Sequence, residues 1–117
     1  MSNDAIIIGW DRAIAGREGN AAELFAQAVG FYEAQKKAGK ITGFETYFMT
    51  PHGGGMNGFT VLHGERAKLD ALAAGDEFLA IVMRGYVLLE GFCVVPAKTG
   101  DEIPKQMTLF MSSVPRK

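Results

Sequence analysis

Four short stretches of this chain are apolar on both faces of a pleat, and this limits its folding more than any other feature. Ala5–Trp10 sets Ile7 against Ile6, Ile8 and Trp10, and Ile41–Met49 sets Phe44 and Phe48 against Tyr47 and Met49. Phe59–His63 sets Phe59 and Val61 against Leu62, and Leu88–Val95 sets Leu88, Phe92 and Val94 against Leu89, Cys93 and Val95. A strand with one wet face alternates apolar and polar residues. Each of these strands therefore needs cover on two sides.

Helical spacing fills the intervals. Ala21, Leu24, Ala28 and Phe31, with Phe25, Val29 and Tyr32 beside them, predict a long amphipathic helix from Asn20 to Lys37, stopped by Gly39. Leu69, Leu72, Phe78, Leu79, Val82, Met83 and Tyr86 predict a second between Glu65 and Tyr86, broken near Gly75, with Asp76 placed to cap its second half. Pro96 is expected to end the fourth strand. After Thr99-Gly100-Asp101, Ile103, Met107, Phe110 and Met111 predict a terminal helix over 101–113. The order strand, helix, strand, strand, helix, strand is the split βαβ arrangement. The expected fold is α+β and ferredoxin-like: a four-stranded antiparallel sheet with the first and third strands central, both main helices on one face, and a C-terminal helix. At 117 residues the chain fits one domain over 1–117, its core within 5–95.

Two helices on one face leave the other bare, and that bare face exceeds the ~300–600 Å² apolar patch that monomers tolerate. The simplest cover is a second copy, sheet against sheet. In element order and doubly apolar strands, residues 5–95 resemble the dimeric α+β barrel superfamily of small bacterial ferredoxin-like proteins. The strings "HGG", "NGF" and "TGD" are similar to those of an uncharacterised branch. The resemblance implies a homodimer that holds its ligand between sheet and helices. The superfamily also contains cofactor-free monooxygenases, lactone isomerases and haem-degrading enzymes. The last would call for a histidine on a helix, and neither 20–38 nor 65–86 contains one.

Twelve basic and 13 acidic residues give a net charge of −1, which supplies no field toward nucleic acid or an anionic membrane. No run approaches the ~20 apolar residues of a membrane span, and Met1-Ser2-Asn3-Asp4 lacks the positive region of a secretion signal. The cytoplasm is the expected location. The single cysteine, Cys93, lies in an apolar run and is expected to act as a small core hydrophobe. Two histidines 11 residues apart, without a matching cysteine or carboxylate spacing, do not make a metal site. No cofactor is expected.

The segment "TPHGGGMNGF", Thr50–Phe59, lacks the Gly-Lys-Ser/Thr of a phosphate loop and precedes a strand, so it is expected to connect a hairpin; a flap over a pocket is the other reading. His52, His63 and Tyr47 are the candidates for proton transfer. Trp10, Glu45 and Arg84 are the candidates for ligand contact, with Glu45 either reaching water at a sheet edge or paired inside a cavity. The expected function is a homodimeric binder of a small apolar molecule, with a pocket between sheet and helices. The alternatives are a cofactor-independent monooxygenase or isomerase acting on an apolar or phenolic substrate, and a module that pairs with a different chain.

Overall fold

A computed structural model describes residues 4–115. Along the chain it places β1 (Asp4–Trp10), β2 (Arg12–Ala13), α1 (Glu18–Lys37), β3 (Gly43–Phe48) and β4 (Gly58–Gly64). There follow α2 (Arg66–Ala74), α3 (Asp76–Leu88), β5 (Leu89–Glu90), β6 (Cys93–Lys98) and α4 (Glu102–Ser112). The main sheet has the order β3-β4-β1-β6, antiparallel at each pairing, with β2 and β5 forming a separate two-stranded ribbon. This is the ferredoxin-like α+β fold, with β1 and β4 central.

Register decides which side chains share a face. Phe44, Leu62, Ile6 and Pro96 stand opposite one another across the four strands, as do Thr46, Thr60, Ile8 and Val94. These rows lie under the helices, where Ile6, Ile8 and Leu62 join Leu24, Phe31, Tyr32, Leu69, Phe78 and Ile81 in the core. The alternate rows face away: Glu45-Val61-Ile7-Val95, Tyr47-Phe59-Gly9-Cys93 and Gly43-His63-Ala5-Ala97. Of their members Tyr47 is 45% exposed and Val95 47% exposed, and Ile7, Phe59 and Val61 are half-buried. The second face is thus largely apolar and open within one chain. The C-terminal helix does not close it, because no residue of α4 is buried.

Four local expectations are corrected. Gly75 breaks the second helix, but the cap carries no side-chain hydrogen bond; Asp76 and Glu77 instead stand in the first turn of α3, where they oppose the positive end of the helix dipole. Leu88 is the last residue of α3, so the fourth sheet strand starts at Cys93 rather than at Leu88. Pro96 lies inside β6, because an edge strand needs only one of its two rows of backbone groups for pairing. Cys93 is exposed on the open face rather than in the core, since the odd-numbered positions of β6 point away from the helices. No helix among the described residues is long and apolar enough to cross a membrane.

Candidate functional site

Between α1 and the sheet lies a cavity of about 550 Å³. Ile8 and Thr60 form part of its floor, and Ala21, Leu24, Phe25, Ala28 and Tyr32 supply the helix side. These five recur at i, i+3, i+4, i+7 and i+11, so one stripe of α1 faces the sheet. Two of the five are alanines, and short side chains on that stripe leave room that a leucine would fill. Trp10, Phe25 and Phe48 stand edge-on or tilted at ring separations of 6.4, 6.2 and 5.4 Å and form an aromatic side wall. The indole of Trp10 lies across Gly58, where a Cβ would come within 2.5 Å of it, so the bare backbone of that residue seats the ring. Gly58, the first residue of β4, therefore helps to shape the cavity.

The cavity has few polar groups. The Thr60 hydroxyl is paired with that of Thr46 at 2.9 Å. Tyr32 is 3% exposed, and its hydroxyl makes no hydrogen bond within the described residues. Burial pushes its pKa up, so it remains a neutral phenol able to donate or accept one bond. Asp11, Arg12 and Asn57 also border the cavity. Asp11 and Asn57 tie the glycine-rich connection to the end of β1: Met56 N–H donates to Asp11 Oδ1 at 2.5 Å, Asn57 Nδ2 donates to the Asp11 carbonyl, and Asn57 N–H donates to the Trp10 carbonyl at 3.0 Å. The connection joins β3 to β4 as a hairpin loop held beside the cavity.

A second cluster stands on the open face. Tyr47 Oη donates to Glu45 Oε2 at 2.6 Å, and His63 Nε2 lies 2.9 Å from Glu45 Oε1. The Tyr47 ring also stacks on Phe59 at 5.0 Å. Period-two spacing puts Glu45 and Tyr47 on one face, and the β3–β4 register brings His63 beside them. Hydrogen bonds from Tyr47 and then from His63 hold the Glu45 carboxyl below its usual range, and the carboxylate raises the Tyr47 phenol in turn. The lowered carboxyl adds stability above its ordinary pKa of 4.5, and that contribution disappears as pH falls through the lowered value. From about pH 6 to about pH 3, thermal unfolding midpoints should fall more steeply for the native chain than for Glu45→Gln. Parallel acid limbs would contradict this.

The six residues singled out in the sequence thus divide by place. Trp10 lines the cavity, while Glu45, Tyr47 and His63 converge on the other side of the sheet. His52 stays in the loop, its Nδ1 accepting the Gly54 N–H at 3.2 Å. Arg84 lies on α3 and donates to Gln27 of α1. Sequence reasoning missed Tyr32, Phe25 and Phe48 as cavity residues. The signal available was the pair of alanines on an otherwise bulky helix stripe.

No protein-family model matches the chain, and no curated protein matches its sequence. Solved structures do share its fold. A dimeric ferredoxin-like protein of unknown function from Jannaschia superposes with a TM-score of 0.61 at 13% identity, covering 83% of this chain and 97% of that one. A Deinococcus radiodurans protein described as a candidate antibiotic biosynthesis monooxygenase gives 0.60 at 14% identity, covering 83% and 93%. The hydroxynitrile lyase of Passiflora edulis gives 0.65 at 10% identity, covering 86% and 97%. At these identities the likeness is one of fold.

Proposed function

We propose that the protein is a homodimer, paired through its open sheet face, that binds a small, largely apolar molecule between α1 and the sheet. The observation that carries the ligand reading is the cavity of about 550 Å³, walled by Trp10, Phe25 and Phe48 and lined by Tyr32, whose hydroxyl makes no hydrogen bond among the described residues. A site of this size and character fits a drug-sized ligand with one hydrogen-bonding group. The pairing is supported by the open apolar rows and by the dimeric Jannaschia structure of the same fold.

Trp10 is the only tryptophan, so its fluorescence reports the cavity directly. Titration with the neutral fluorophore N-phenyl-1-naphthylamine should quench it saturably. Ala21→Phe, which puts a ring into the cavity from the helix side, should weaken that binding at least about tenfold while leaving the unfolding midpoint in place. A titration that leaves Trp10 unchanged, or one indifferent to Ala21→Phe, would overturn the ligand reading.

The chain Tyr47–Glu45–His63 favours a second reading, a cofactor-independent enzyme, in keeping with the lyase and monooxygenase descriptions of two structures of the same fold. Its three groups supply a proton donor, a carboxylate and an imidazole within hydrogen-bonding reach. They lie across the sheet from the cavity, so this reading requires a substrate held on the paired face. Turnover of a phenolic substrate that is lost in His63→Gln and kept in Ala21→Phe would favour it.

A further inference from the structure

Covering the open sheet face does not cover every apolar surface of the chain. On α3, Phe78, Ile81, Val82, Gly85 and Leu88 are buried against the body, while Leu79, Met83, Tyr86 and Val87 are exposed on the other side. Asp76, Glu77 and Arg84 give α3 a charged side, but its exposed apolar stripe is a second surface of the kind that amphipathic helices bury. On α4, Ile103, Met107, Phe110 and Met111 are likewise exposed, Phe110 at 63%. Both stripes follow the spacing i, i+4, i+7, i+8. Each is the width that a second helix covers.

The chain's dimensions show that these stripes are not closed within it. It exposes 7606 Å², whereas a compact monomer of 12.6 kDa exposes about 6,200 Å². The difference exceeds the ~800 Å² that each partner gives to a standard interface. Its radius of gyration is 16.2 Å, against about 13 Å for a compact chain of this length. A tight turn joins β6 to α4: Gly100 takes a φ of 58°, Glu102 N–H donates to the Thr99 carbonyl, and Ile103 N–H donates to the Gly100 carbonyl. That turn sends α4 away from its own body with no residue buried.

We propose that α4 of each copy docks on the outer stripe of α3 of the second copy, a two-fold exchange of helices that clamps the dimer. This rests on the sheet pairing proposed above, because that pairing brings a second copy alongside the edge strand from which α4 departs and leaves the α3 and α4 stripes as the main exposed apolar surfaces. In a two-fold assembly the same contact forms twice.

The test is a double-mutant cycle on dimer dissociation, followed by light scattering over dilution, with Met83→Glu, Phe110→Glu and the pair of changes together. Both sites are exposed in the chain, so neither substitution disturbs the core. Each single change should weaken the dimer about tenfold or more, and the combined change should weaken it by clearly less than the product of the two. Dissociation unchanged by Phe110→Glu, or two fully independent effects, would overturn the exchange. So would a loss of unfolding stability with dissociation untouched, which marks α4 as docking on its own chain. If instead the unaltered chain is monomeric at micromolar concentration, the sheet pairing itself fails, an outcome distinct from a dimer indifferent to α4.

Discussion

Ile7→Lys should turn a particle of about 25 kDa, twice the 12.6 kDa chain, into a folded monomer at micromolar concentration. Ile7 occupies a central strand, with Val61 and Val95 directly opposite it on either side, so it marks the middle of the open face. In the isolated chain it is only half-buried, and a lysine there can carry its amine outward to water. Between two paired sheets it cannot. A two-fold interface would then trap two unpaired ammonium groups, and uncompensated buried charges cost about 3–5 kcal/mol each, so the dissociation constant should rise at least about ten-thousandfold. Light scattering over a dilution series reads the mass, and circular dichroism confirms that the chain stays folded. Ile7→Leu, which changes shape without charge, should leave the dimer within about tenfold of the native one. A lysine variant that remains dimeric would remove the sheet pairing.

The same face shows what the sequence makes legible and what it does not. That four strands are apolar on both sides can be read from alternate residues alone, and β1, β3 and β4 follow from it within two residues at each end. The fourth strand is harder, because Val87-Leu88-Leu89 suits the end of a helix as well as the start of a strand. A proline also reads as a stop until the strand is known to be an edge. Cys93 looks like core in its apolar run, and only the register reveals that it faces away from the helices. The meeting of Glu45 and Tyr47 follows from spacing two residues apart. Their approach to His63 depends on how β3 slides along β4, which a local pattern does not specify. The cavity is a matter of what stands opposite what. Ala21 and Ala28 read as ordinary members of a helix stripe, and the gap they leave exists only because Ile8 and Thr60 lie beneath that stripe.

That distinction between packing and site leads to the largest expected effect on stability. Phe78 is 2% exposed at the start of α3, its ring stacked on Phe31 of α1 at 6.1 Å. It lies just past the Gly75 break, and its ring ties α3 to α1. Truncation to alanine loses the transfer free energy of a whole ring and leaves a hole that the break cannot collapse to fill, a cost of about 3–5 kcal/mol. Against a total stability of about 5–15 kcal/mol, that is a third or more in most cases, and the urea midpoint should drop accordingly with little change in slope. Phe78 is not among the residues lining the cavity between α1 and the sheet. Well below its own midpoint, Phe78→Ala should therefore bind N-phenyl-1-naphthylamine with close to native affinity, whereas Ala21→Phe should show the reverse pattern. If Phe78→Ala lost stability and binding in the same proportion at low denaturant, the helix layer would be acting on the cavity as one unit, and the separation of core from site drawn here would fail.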